Sequence, residues 1–245
     1  MSDKQLTNLS KSQQMIAVLE DKQEFNERYT EFTFELKTPP VFNFLAGQYV
    51  SIQVSPGGER RAYSIASPPS FNHGFRLLVD LSPGGVGTNF LKNLTFGKEV
   101  SVLGPLGHFV LDQSGKEQAI VLIGTGSGIA PLRSMIDDLL IDHQDKRPIR
   151  LYWGMRHESE LFWLEDLENL NEQYENFEFY PVISQPVGDW PLSTGHVTDL
   201  VLAHRFKPQA GFYLCGNQAM IQDVTQVLKR KHQVNDSFIH FEKYY

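Results

Sequence analysis

The apolar run AIVLIG, residues 119–124, passes straight into the glycine-rich turn GTGSGIAP, Gly124 to Pro131. Behind it Leu132, Met135, Ile136, Leu139 and Leu140 recur at helical spacing. A continuous apolar run suits a strand covered on both faces, and the spacing behind it makes one stripe of a helix. Strand, tight turn and helix in that order admit few folds. The rhythm then repeats: RLYWG precedes ELFWLEDLENL, FEFYPVIS precedes a helical stretch at 197–203, GFYLCG precedes NQAMIQDVTQVLKRK, and SFIHF follows. Five strands alternating with helices predict a doubly wound, five-stranded parallel sheet.

The first half of the chain keeps a different period. Phe32, Phe34 and Leu36 alternate with Thr33 and Glu35, the period-two pattern of a half-buried strand. MIAVLE, QYVSIQV, RRAYSIA, FRLLVDL and EVSVLG read the same way, with glycine and proline between them, and a short helix is expected near 89–94. Several short strands with such punctuation predict an antiparallel β-barrel. Domains are expected over 13–113 and 117–245, joined by the polar stretch DQSGKEQ at 112–118. The polar first dozen residues are expected to fray.

Three turns and one strand carry chemistry. In GTGSGIAP the residues Gly124, Thr125, Gly126 and Ser127 leave backbone N–H groups exposed at a helix start, where phosphate binds, and Pro131 sits in the first turn, where its missing N–H costs little. On the strand Arg61-Ala62-Tyr63-Ser64, alternation places the arginine fork and the flat tyrosine ring on one face, with a hydroxyl beside them. Gly85, Val86, Gly87 and Thr88 form another phosphate-compatible turn before a short helix. Cys215, Gly216 and Met220 follow an apolar strand; ligands collect at such carboxyl ends of strands, while Met220 by its spacing is helix core.

Composition narrows the classes. A net charge of -7 gives no general attraction to nucleic acid or anionic membranes. One cysteine allows no internal disulfide and no internal four-cysteine iron–sulfur cluster, and fits a reducing compartment. Eight histidines without metal-ligand spacing predict no metal site. With no apolar run long enough to span a bilayer and no signal core, a cytoplasmic protein is expected.

Taken jointly, the RxYS strand, the Gly85–Thr88 turn, the Gly124–Pro131 turn, Cys215-Gly216-Asn217-Gln218-Ala219-Met220 and the closing Glu242-Lys243-Tyr244-Tyr245 resemble the ferredoxin–NADP reductase superfamily, with the bacterial ferredoxin reductases and the reductase components of oxygenases both near. The resemblance implies FAD on the barrel and NADPH or NADH on the second domain. It implies that Arg61, with Val86, Gly87 and Thr88, binds the FAD pyrophosphate, that Tyr63 stacks on the isoalloxazine, and that Ser64 hydrogen-bonds near flavin N5. Ala62 lies on the same strand, and Leu78 and Val79 would line the flavin through their backbone. Thr125 and its neighbours would serve the dinucleotide. Cys215 and Glu242 would stand where nicotinamide meets flavin, with Gly216 and Met220 beside them, and Tyr244 or Tyr245 would cover the flavin or its adenine. Relatives that use NADP place an arginine where Gln185 follows Ser184, and bacterial ones another where His196 stands; Arg156 remains, so both nucleotides stay open.

The implied activity is electron transfer from the nicotinamide nucleotide through FAD to ferredoxin or flavodoxin, by a monomer. For an acidic acceptor Arg60, Lys92, Lys98 and Lys229-Arg230-Lys231 are available. Alternatives are a reductase for free flavin or for an oxygenase component, and, in a different class, a non-enzymatic nucleotide or redox sensor.

Overall fold

A computed structural model describes residues 11–243, and these form two compact units. One comprises the chain up to Gln113 together with Arg133–His143; the other comprises Ser114–Leu132 and the chain from Gln144 onward. The expected fraying of the first dozen residues falls almost wholly outside the described residues.

In the first unit lie β1 (Gln13–Glu24), β2 (Tyr29–Thr38), β3 (Tyr49–Gln53), β4 (Arg60–Ser64), β5 (Gly74–Asp80), α1 (Val86–Lys92) and β6 (Glu99–Leu106). The sheet order is β4-β3-β6-β1-β2-β5, antiparallel throughout, and a bridge between Ile65 and Leu77 joins its two ends. The result is an antiparallel, nearly closed six-stranded barrel. Its interior is what the alternation demanded: Phe32, Phe34 and Leu36 point inward with Phe75, Leu77 and Val79 of the neighbouring strand. Phe34 and Phe75 stack with ring centroids 5.3 Å apart, an arrangement that adds to the burial itself.

The second unit begins with β7 (Ala119–Thr125), a 3₁₀ turn (Gly126–Gly128) and the start of α2 (Ile129–Asp137). It continues with β8 (Ile149–Met155), α3 (Leu164–Gln173), β9 (Phe177–Ile183), β10 (Ser193–Thr194), α4 (Val197–Ala203), β11 (Ala210–Gly216), α5 (Gln218–Arg230) and β12 (Ile239–Lys243). The sheet is parallel in the order β10-β9-β8-β7-β11-β12. The five long strands are those the sequence pattern predicts. The sixth, β10, is a two-residue edge piece on β9, too short to leave a periodic signal. Ile120, Leu122 and Ile123 are fully buried, so β7 is covered on both faces.

All five stripe residues of α2 and the turn after it are buried. From Asp138 the coil widens into a π turn, Asp138–Asp142. The far half of the helix belongs to the first unit, where the buried Ser134 hydroxyl donates to the Ser67 carbonyl at 2.7 Å and Arg133 pairs with Asp137 at 2.9 Å. Burial pushes the Asp138 carboxyl up to about 6, against the pull of His143. The folded state therefore prefers its protonated form. Stability from this group is present below pH 4 and is lost as pH rises through about 6. Because the group keeps some solvent, Asp138→Asn should add roughly 1 kcal/mol at pH 8 and nothing at pH 4. Thermal melts at the two pH values check this, and an equal shift at both refutes it.

Among the described residues no helix is long and apolar enough to cross a membrane, and no group of three or more His, Cys, Asp or Glu side chains is arranged to hold a metal ion.

Candidate functional site

In the first unit the RxYS strand and the turn before α1 meet. Gly87, which is buried, lies so close to β4 that a Cβ there would stand 2.7 Å from Arg61 Cγ and nearer still to the Tyr63 hydroxyl. Two segments separated by more than twenty residues thus bring a guanidinium, a phenol ring and the backbone of a helix start to one place. Arg61 is half exposed and pairs with Glu59 at 2.6 Å; exposed pairs of this kind are weak and exchange readily. Burial pushes the Tyr63 phenol up to about 12, with Arg61 pulling the other way, so the ring is a neutral stacking surface at physiological pH. Ala62 is exposed on the same strand.

Ser64 is buried at the end of β4, paired in register with Tyr49. The Thr88 hydroxyl turns back onto the Gly85 carbonyl at 3.0 Å, and Val86 is exposed. Leu78 and Val79 are both buried, with Val79 in the barrel core. β5 ends the sheet order, so beyond the Ile65–Leu77 bridge its outer edge pairs with no other described strand. That leaves its backbone, rather than the Val79 side chain, as the part open to a ligand.

In the second unit Gly128 plays the part that Gly87 plays in the first. A Cβ on Gly128 would lie 2.6 Å from the carbonyl carbon of Cys215 and 2.8 Å from Cα of Gly216. The end of β11 therefore rests directly on the glycine-rich turn. Gly124 is paired with Cys215 in register, and Asn217 donates from Nδ2 to the Thr125 hydroxyl at 3.4 Å while capping α5 through Met220 N–H at 2.9 Å. Gly126, whose carbonyl accepts from the buried Trp153 indole at 3.3 Å, and Ser127 complete the turn. Asn217 belongs to this cluster and was not among the candidate residues. Its signal was present in the sequence as a helix N-cap residue immediately after a strand.

Cys215 is buried, and across the sheet its register partner is Glu242. Met220 is buried in the hydrophobic core of this unit, against Gly216, as its helical spacing indicated. Arg156 and Gln185 are brought together by a backbone bond of 2.8 Å, and Ser184 N–H donates to Met155. His157 is held on the Gln185 carbonyl at 2.9 Å, while His196 caps α4. Tyr244 and Tyr245 lie outside the described residues.

An antiparallel barrel bearing an arginine–tyrosine strand against a helix start, followed by a parallel sheet with a glycine-rich turn after its first strand, defines a two-domain oxidoreductase that binds a flavin and a nicotinamide dinucleotide. Comparison with known proteins agrees. Residues 16–111 match the oxidoreductase FAD-binding domain family and residues 122–226 the oxidoreductase NAD-binding domain family. The chain belongs to the ferredoxin–NADP reductase superfamily of FAD- and NAD(P)-binding oxidoreductases. It is similar to the reductase component DmpP of phenol 2-monooxygenase from a Pseudomonas species, at 37% identity over 209 residues, covering 82% of this chain and 58% of that protein. It is also similar to the electron transfer component of anthranilate 1,2-dioxygenase from Acinetobacter baylyi, at 30% identity over 82% of this chain and 58% of the relative. The chain thus spans 58% of the length of these curated relatives. Among solved structures, the Amycolatopsis reductase GcoB superposes with a TM-score of 0.85 at 29% identity, over 95% of this chain and 70% of that one.

Proposed function

We propose that this chain takes electrons from a reduced nicotinamide dinucleotide and delivers them, by way of FAD, to a one-electron acceptor protein. Bound FAD would supply the conversion from a two-electron donor to single electrons, and the protein would supply binding and orientation. The observation that carries the reading is the approach of Gly87 to Arg61 and Tyr63. A cation, a neutral flat ring and a glycine that lets a helix start come close form a cradle suited to the pyrophosphate and ring of a flavin nucleotide.

In this reading Arg61 and the Val86–Thr88 backbone hold the pyrophosphate, Tyr63 stacks on the ring system, and Ser64, Ala62 and the backbone of Leu78 and Val79 border it. The turn Gly124–Ser127, with Asn217 behind Thr125, takes the phosphates of the nicotinamide nucleotide. Cys215, Gly216 and Glu242 border its reactive end, and Met220 supports Gly216 from the core. Arg156, Ser184 and Gln185 face the ribose phosphate that separates NADPH from NADH. The proposed domain limits are 13–113 and 117–245.

The relatives named above favour an oxygenase component over ferredoxin or flavodoxin as acceptor, since both are components of oxygenase systems. With one cysteine in the sequence the next redox centre cannot be a four-cysteine cluster within these residues.

Anaerobic titration of the FAD-loaded protein with NADH and with NADPH, followed by its visible spectrum, tests the proposal. Bleaching at stoichiometric donor is expected, and the donor that bleaches at lower concentration names the substrate. A protein that binds no FAD at micromolar concentration, or whose FAD neither nucleotide bleaches, refutes it.

A further inference from the structure

The stretch between the two sheets carries a carboxylate that the proposed function does not use. Glu117 is 3% exposed, although it lies in the polar segment DQSGKEQ. Oε2 accepts from the Tyr213 hydroxyl at 2.8 Å and Oε1 meets His240 Nε2 at 2.9 Å. The Tyr213 and His240 rings stack, with centroids 4.6 Å apart. Arg147, itself paired with Asp145 at 2.6 Å, donates to the Glu117 carbonyl at 3.3 Å. The space is reserved for this carboxylate: a Cβ on Gly211 would run into it.

What Glu117 holds is the last strand. β12 has five residues, none of them fully buried, and it lies at the edge of its sheet with β11 as its partner. A short edge strand with little apolar burial is weakly fixed in register and opens easily. His240 stands opposite Tyr213, and two residues on, Glu242 stands opposite Cys215. Alternation puts both pairs on the same face of the sheet. A slip of one residue would turn Glu242 to the other face.

We propose that Glu117 is the positioning residue for the terminal strand: by gripping His240 across the Tyr213 ring it fixes Glu242 beside Cys215, and so the orientation of the nicotinamide substrate. This rests on the assignment of Cys215 and Glu242 to the nicotinamide end. It assigns to a linker carboxylate, far in sequence from the strand it holds, a share in substrate alignment.

The test uses the full chain loaded with FAD. Glu117→Ala and His240→Leu remove the grip, while His240→Gln keeps an N–H near the place of Nε2. Hydrogen–deuterium exchange over 239–243, read without nucleotide, should speed up in the first two variants and stay near wild type in the third. kcat/KM for the reduced nucleotide should fall about tenfold or more in the first two, with bound FAD unchanged, and recover in His240→Gln. Glu117→Ala combined with Glu242→Gln should lose no more than Glu242→Gln alone, because the first acts through the second. Exchange unchanged in His240→Leu, turnover equal to wild type in Glu117→Ala, or losses that multiply in the double variant would each overturn the proposal. If Glu117→Ala does not fold, His240→Leu against His240→Gln decides. A wild-type chain that neither nucleotide reduces refutes the parent assignment instead, and the exchange data remain readable.

Discussion

Gly128→Val should raise KM for the reduced nicotinamide nucleotide at least tenfold and leave FAD affinity at its wild-type value. The reason is a backbone contact. The new Cβ meets the carbonyl carbon of Cys215 at 2.6 Å and Gly216 Cα at 2.8 Å, so no side chain can swing aside to make room. Overpacking of this kind costs about 1–3 kcal/mol. The strain has two outlets: the 3₁₀ turn Gly126–Gly128 shifts, or the end of β11 parts from β7, to which Cys215 is paired through Gly124. Either outlet disturbs the Thr125–Asn217 contact and displaces the proposed phosphate-binding amides. A displacement near 1 Å at a positioning group is enough for a loss of about a hundredfold in rate. The proposed FAD cradle at Arg61, Tyr63 and Gly87 belongs to the other unit. Steady-state kinetics with a parallel FAD titration check the split. Unchanged KM, or an equal loss of FAD affinity, removes the nucleotide role from this turn.

How much of this was legible in the sequence depends on the range of the interaction. The barrel strands and the five long parallel strands announce themselves because each turns a repeating face to its own core, as Phe32, Phe34 and Leu36 do. The two candidate cradles were readable as glycine-rich turns, since a glycine needed for close approach leaves a visible mark even when its neighbour is unknown. What touches the glycine was not readable: Gly87 on Arg61 and Gly128 on Cys215 join segments far apart in the chain. The same limit hid the far half of α2, whose Ser134 binds Ser67 across 67 residues and whose residues from Arg133 belong with the barrel. It also hid Glu117. Among Asp, Gln, Ser, Gly and Lys a glutamate reads as solvated linker, and its burial is decided by Tyr213 and His240, 96 and 123 residues away. β10 escaped for the opposite reason, being two residues long.

Arg61→Ala should lower FAD affinity about ten- to a hundredfold, the value of a charge-assisted hydrogen bond of roughly 1.5–3 kcal/mol. Among the described residues the Arg61 guanidinium bonds to near neighbours on its own strand and turn: Nη2 pairs with Glu59 at 2.6 Å and Nη1 donates to the Arg60 carbonyl at 2.9 Å. Both partners of the ion pair keep nearly half their surface in water, so the pair contributes little and yields to a stronger anion. A pyrophosphate is such an anion, and its paired oxygens suit the guanidinium fork. The Gly87 backbone stands against the stem of the same side chain, which confines the fork to the mouth of the turn. Arg61→Lys should therefore recover only part of the loss, because an ammonium is a point charge without the planar fork. Tyr63→Phe should bind FAD nearly as wild type, since the phenol is neutral at working pH and the flat ring is retained. Fluorescence titration of the apoprotein with FAD ranks the variants. The expected order of affinity is wild type and Tyr63→Phe together, then Arg61→Lys, then Arg61→Ala. An Arg61→Ala protein that binds FAD as tightly as wild type would show that the cation at this turn serves something other than the flavin pyrophosphate.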